Sequence, residues 1–427
     1  MVKQMRWLLL LEIVLLAGIF NWRFVQSCDL KKVLDMNDVR AILSGFQKTP
    51  NLLVDGLRWW HGAWIQEGIN AFRPLTSYLY WLECWIGLHY GFFWVGILGF
   101  ILFVVCCWLS VELAWRITNS AIGASLCAIF ATTIIYHNLN PKNWLIWFPC
   151  HQELMLSVFL IGALLCFDRW LVGRSKKHLA YAWVLFIAGC LTKEYAYVFP
   201  LLVASLVLLN YKGEKEALRI GLIQTFATLA FVVMLWFYRN AVLENPYNPT
   251  LKPSQFVRKP LLFMFNVFGR YLLTGDYWFV GWAILIFVMV GIYFRWVRVN
   301  PSTILMRSLV WTMLFLTLNW VYLWRFAPSS VSDAILFLLD QPFFNPHLES
   351  MASMLFQLYA LYLLWRYRDR EPTALSFTWV FLAHLPVLDY IGWHYTIPAW
   401  FFWSVYWSLV AKLIWLNIGQ PIVGLNR

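Results

Sequence analysis

The sequence predicts an all-α polytopic membrane protein: one membrane domain over residues 1–427, with a large first extracytoplasmic loop and no separate soluble domain. Three observations predict it. Hydrophobic residues make up 61% of the chain and charged residues 13%, with a mean hydropathy of +0.64; a soluble globular chain is about a quarter charged. Apolar runs approaching the roughly 20 residues that a membrane helix needs recur along the whole length, about twelve in all. Basic residues fall in every second loop between those runs, the pattern of cytoplasmic loops.

The runs lie near 7–23, 91–113, 119–137, 153–171, 179–192, 195–211, 219–238, 277–294, 307–325, 349–366, 373–392 and 396–415. The first, WLLLLEIVLLAGIFNW, follows MVKQMR and is followed by Trp22, Arg23 and Phe24 rather than a small-residue cleavage site. It reads as an uncleaved span, not a signal peptide. The fifth and sixth are short and nearly fused across Lys193-Glu194.

The basic loops carry Lys3 and Arg6; Arg116; Arg169, Arg174, Lys176 and Lys177; Lys212, Lys215 and Arg219; Arg295, Arg298 and Arg307; and Arg366, Arg368 and Arg370. All share one side if both termini are cytoplasmic. The formal charge of +12 then reflects topology and contact with anionic membrane lipids. Being scattered over many loops, it excludes a nucleic-acid partner.

The other loops face outward and include the long ones: 24–90, 239–276 and 326–348, with the shorter 138–152 and the Lys193-Glu194 turn. Long ordered loops carry function, so chemistry is expected at the outer membrane surface. The eight cysteines show no CxxC spacing, and only Cys28, Cys84 and Cys150 fall in outer segments. A structural zinc site is therefore not expected. Much of the content of 28 tryptophans suits anchoring at the membrane interface.

The polar residues of the outer face are the candidates for function. Asp35 and Asp38, at i and i+3, share one face if helical. Either carboxylate there can act as general base on a hydroxyl, or simply favour a solvated first helical turn. The segment VDGLRWWHGAWI, with Trp59, Trp60 and Trp64, reads as an amphipathic helix lying on the bilayer. Arg73 precedes Pro74 and so sits at a helix start. A fixed guanidinium is a good phosphate ligand; the alternative is an arginine snorkelling to the interface. His151 and Glu153 open the fourth run, where a carboxylate can also be a dipole partner and a lone histidine a hydrogen-bonded structural residue. Lys193 and Glu194, in LTKEYAYVFP, stand where the chain turns back. Near the interface such a pair costs little, so it is either a turn in the headgroups or a phosphate-binding lysine oriented by its neighbour.

Taken in order, four pieces resemble the GT-C superfamily of membrane glycosyltransferases, in particular its O-mannosyltransferase branch and the bacterial relatives of that branch. They are the acidic NDVRAIL, FRPLTSYLYWL, the Trp-rich NWLIWFPCHQELM and TKEYAYVFP. The resemblance covers roughly residues 1–210. It departs from the family in having Asn37-Asp38 for a tandem acidic pair, which keeps Asp35 as an alternative base. It lacks the usual His/Asn-rich second span and any C-terminal repeat domain.

The resemblance implies a hexosyl- or pentosyltransferase in a bacterial inner (plasma) membrane. It would use a polyprenyl-phosphate-linked sugar and an acceptor hydroxyl on a glycan, lipid or protein of the cell envelope. Asp38 would deprotonate the acceptor, which would attack the anomeric carbon with inversion. Arg73 and Lys193 would stabilise the leaving lipid phosphate. Glu153 would orient the acceptor or hold one of those cations, and Glu194 and His151 would support them. Two or three carboxylates can hold a divalent cation, although phosphosugar relatives often need no cofactor. The competing class is a transporter or lipid-linked-sugar flippase. Against it, the chain has no convincing inverted repeat and no Gly/Pro-broken spans in matched positions. A third class, a non-catalytic scaffold, would not need a large ordered outer loop.

Overall fold

The computed structural model describes residues 2–26, 28, 37–133, 148–211, 213–243, 370–384 and 397–418. Every described element is helical. The chain order is α1 (Val2–Gln26), α2 (Asn37–Gln47), α3 (Leu52–Asp55), α4 (Pro74–Tyr90), α5 (Phe92–Thr118), α6 (Ala121–Thr133), α7 (His151–Gly173), α8 (Lys176–Thr192), α9 (Phe199–Asn210), α10 (Lys215–Val242), α11 (Arg370–His384) and α12 (Ile397–Ile418). Short 3-10 turns cover Gly56–Trp60, Phe148–Cys150 and Glu194–Val198. Three stretches, Phe92–Thr118, Phe148–Gly173 and Lys215–Val242, are long and apolar enough to cross a membrane. The expected spans 277–294, 307–325 and 349–366 lie outside the described residues, as does outer loop 326–348. The other expected spans fall on described helices, except that the ends of 119–137 and 373–392, like most of outer loops 138–152 and 239–276, also lie outside the described residues.

Local chemistry explains the breaks. Asn119 closes α5 in the left-handed region, at φ 46°, a conformation that asparagine tolerates. Arg174 does the same for α7 at φ 54°. The run expected as one span over 195–211 divides. Residues Glu194–Val198 wind as a 3-10 turn, and α9 starts with Pro200 in its first turn. Proline is tolerated there because a helix start leaves its first N–H groups unbonded in any case.

Helix α7 packs against α5, α8, α9 and α12, and most of its length is buried. By contrast α10 exposes Phe226, Val233, Met234 and Phe237. Two buried apolar clusters result. The larger runs through α1 and α5 to α12. The smaller lies under the first loop, with Val39, Ile42, Trp59, Trp64, Ile65, Tyr80, Cys84 and Phe148. Helix α4 serves it with Tyr80, Cys84 and Gly87, buried at helical spacing. Gly45 lets α2 lie directly on the loop backbone, since a Cβ there would meet the Ile65 carbonyl oxygen at 1.8 Å. The chain passes from one cluster to the other at Ala71–Phe72 and Phe148–Cys150. The buried charged residues described next gather around these crossings.

The first loop corrects one expectation. Its tryptophans do not form a membrane-facing stripe. Trp59 and Trp64 are buried, Trp59 edge-on to Tyr78 and Trp64 tilted against Tyr80. These rings find better burial against α4 than a surface position gives. Leu53, Val54 and Leu57 are the exposed apolar residues of that stretch.

Candidate functional site

Five charged side chains from four segments meet at one end of the bundle. Arg73 caps α4 at φ −142° and ψ 64°, outside the helical region that a following proline disfavours. Its Nε and Nη2 both donate to Glu194 Oε2, at 2.9 and 2.8 Å. Its guanidinium carbon lies 4.5 Å from the centre of the Trp64 ring, a cation–π contact. Lys193 ends α8 with φ −162° and ψ 147°, an extended conformation. Successive side chains of extended backbone point to opposite sides, so Lys193 and Glu194 take different partners. Lys193 Nζ donates to Glu153 Oε1 in the first turn of α7. Arg239, in the last turn of α10, brings its Nε to 4.0 Å from Glu194 Oε1.

The pairing is therefore crossed. Glu194 binds Arg73 and not its neighbour Lys193, which is how the structure departs from the expected turn. The turn is not exposed either. Lys193 is 4% exposed, Glu194 7%, Arg73 4%, Arg239 2% and Glu153 0%. Burying each ion costs several kcal/mol, about what its partner returns when the geometry is good. Such a cluster therefore adds little net stability.

Beside it lies a second pair. His151 Nδ1 and Glu83 Oε1 are 2.5 Å apart, and both side chains are fully buried. One turn back on α4, Tyr80 donates to the Pro149 carbonyl at 2.6 Å, and Thr76 donates to the Thr192 carbonyl at 2.6 Å. So α4 holds both the start of α7, with Glu153, and the end of α8, with Lys193. The His151 ring fits only because Gly99 faces it: a Cβ there would lie 2.1 Å from His151 Nε2. Burial raises the Glu83 carboxyl above the usual carboxylate range, and the His151 imidazole opposes that shift.

Several buried polar atoms of these groups have no hydrogen-bond partner among the described residues. They are Glu83 Oε2, His151 Nε2, Glu153 Oε2 and Glu194 Oε1. Buried polar atoms are nearly always paired. The cluster thus keeps acceptor capacity facing inward.

No family model, curated protein or solved structure matches the chain. The site is read from its own geometry.

Of the residues that the sequence nominated, Arg73, Glu153, Lys193 and Glu194 are brought together, with His151 adjacent. Asp38 stands in the first turn of α2, exposed, and close enough to the start of α7 for its charge to act on Cys150. Asp35 lies outside the described residues. Among the described residues, no three His, Cys, Asp or Glu side chains group as a metal site; Glu153 and Glu194 face cations instead. No disulfide joins any of the eight cysteines.

Sequence reasoning missed two members. Glu83 is a single carboxylate in the apolar run TSYLYWLECWIGLHY, and that isolation is the signal that marks it. Arg239 fell on the boundary between the seventh span and its loop. Nothing in its local sequence shows that it is buried.

Proposed function

We propose that the chain is a GT-C-type membrane glycosyltransferase. It transfers a sugar from a polyprenyl-phosphate donor to an acceptor hydroxyl on the extracytoplasmic face, with inversion. The observation that carries this reading is the buried meeting of Arg73 and Lys193 with Glu153 and Glu194 at one end of membrane-length helices. Cations buried beside apolar helices are costly for stability and useful for an anionic headgroup whose tail lies in lipid, and the unspent carboxylate oxygens can accept from hydroxyl donors. Basic loops at the opposite end of the same helices support an outer location for the cluster. Charges gathered at one end rather than at mid-bilayer favour a transferase over a translocation path.

In this reading the twelve-span bundle frames a lipid-facing groove, and the lipid phosphate binds with Arg73 and Lys193 among its ligands. As the anomeric bond breaks, charge develops on the leaving phosphate. Preorganised donors in a low-dielectric setting are the largest source of stabilisation there. A lipid phosphate leaves without a strong general acid. Asp38, exposed on α2 beside the start of α7, takes the acceptor proton; Asp35 is the alternative base. Glu153 holds Lys193 in place, and the Glu83–His151 pair fixes the start of α7.

The test is sugar transfer from a polyprenyl-phosphate donor by purified protein in lipid. Lys193→Ala, compared at equal folded amount, is expected to lose about a hundredfold or more, the scale of one oxyanion donor. Full activity in Lys193→Ala returns the cluster to a structural ion-pair network.

A further inference from the structure

We propose that Glu194 is a resident counter-ion: its carboxylate fills an anion site, built by Arg73 and Arg239, that takes a singly charged phosphate ester. The inference rests on the transferase reading only for the identity of the incoming ester.

The geometry of one carboxylate points to this. Glu194 spends one oxygen on both Arg73 bonds, at 2.9 and 2.8 Å. Its other oxygen accepts no hydrogen bond among the described residues and faces Arg239 Nε at 4.0 Å. That is an electrostatic contact and too long for a hydrogen bond. A planar carboxylate thus reaches one guanidinium and falls short of the second. A tetrahedral phosphate is wider, and two of its oxygens can engage both. Guanidiniums are the side chains best suited to that, because their planar forks match phosphate oxygens.

The two arginines come from elements far apart in the chain, the start of α4 and the last turn of α10, and both are buried. Neither can shed its charge. Glu194 is a carboxylate that faces both of them, and an incoming anion would compete for its place. Two elements held by an exchangeable anion also differ from a permanent bridge. A permanent bridge gains nothing from added anions. A counter-ion site competes with them.

The experiment measures thermal unfolding of the purified protein in detergent against dimethyl phosphate, with sodium chloride at matched ionic strength as the control. Wild type keeps its own carboxylate and is expected to respond only at high concentration. Glu194→Ala is expected to melt lower and to be restored by dimethyl phosphate, with a half-saturating concentration about tenfold or more below that of wild type, the effect of removing a competing charged group. Glu194→Ala combined with Arg239→Gln is expected to lose that restoration. The proposal is overturned if Glu194→Ala responds to dimethyl phosphate no more than to chloride, or if the double variant responds as the single one does.

Should Glu194→Ala not fold, Arg239→Lys decides with Glu194 in place. Donor KM is expected to rise about tenfold, and an unchanged KM overturns the proposal. If wild type transfers no sugar from any lipid donor while the anion titration behaves as described, the transferase reading fails and the counter-ion site stands.

Discussion

The two ends of the bundle collect the same residue types and use them differently. At the end opposite Lys193, Arg116 bonds Asp168 Oδ2, and the Tyr211 hydroxyl donates to Asp168 Oδ1 at 2.6 Å. Arg6 and Arg169 share Glu112 Oε2 at 3.2 and 3.3 Å. The three arginine side chains there are 40–46% exposed. Solvent therefore reaches the cations, whereas Asp168 is buried with both oxygens engaged. At the Lys193 end every member is buried, and carboxylate oxygens are left over. Exposed pairs are cheap and contribute little. Buried ones are costly to assemble and costly to break. The first arrangement needs no explanation beyond helix ends and membrane sidedness, whereas the second calls for a ligand.

Removing one cation from each end breaks this comparison most sharply. Arg73→Ala is expected to lower unfolding stability by about 3–5 kcal/mol, because buried Glu194 loses its close partner and keeps only the 4.0 Å approach of Arg239. Arg116→Ala is expected to cost less, about 1–3 kcal/mol, because Asp168 is buried but keeps the Tyr211 hydrogen bond. Chemical denaturation in a fixed detergent checks both. Equal losses at the two ends would erase the distinction.

Separating stability from activity sharpens it further. Lys193→Met with Glu153→Gln removes both partners of one buried pair, leaving no unpaired charge. Stability is expected to change by less than about 1 kcal/mol, while sugar transfer falls about a hundredfold or more. A double variant that keeps its activity would reassign the pair to architecture.

A smaller effect tests how the site is held. Gly99→Ala places a methyl against the His151 ring. It is expected to cost about 1–3 kcal/mol, the range for overpacking, and to lower activity by displacing the start of α7. Wild-type melting and wild-type activity would show that His151 has room to move.

The smallest effect concerns pH at the exposed edge of the first loop. Lys48 donates to Glu67 Oε1 at 2.5 Å and Ser44 donates to Oε2 at 2.9 Å. These bonds lower the Glu67 carboxyl below its usual range. A carboxyl depressed in the folded state contributes stability above its unfolded value and loses it as pH falls through the folded value. Glu67→Gln is therefore expected to flatten slightly the acid limb of stability against pH, below the ordinary glutamate range. An unchanged acid limb removes that contribution.

What was legible in the sequence divides along local and non-local lines. The helices could be read because membrane length and apolarity are local properties, and Arg73-Pro74 announced the start of α4 by backbone sterics alone. Lys193 and Glu194 could be located but not paired. Adjacency suggested that they bond each other, yet the extended backbone at Lys193 sends them to Glu153 and Arg73, 40 and 121 residues away in sequence. Trp59 and Trp64 were read as facing the bilayer, because amphipathicity does not say which apolar surface a ring will find. Glu83 and Arg239 were missed for the same reason. Their burial is set by helices that pack from elsewhere in the chain.

The central claim is that the Lys193 end is a headgroup site, and the most direct measurement is an experimental structure with a polyprenyl monophosphate bound. The account predicts density for the phosphate with oxygens about 2.7–2.9 Å from both Arg73 and Lys193, and the prenyl tail running between helices. Density for the phosphate elsewhere, with the Arg73–Glu194 and Lys193–Glu153 pairs intact, would contradict it.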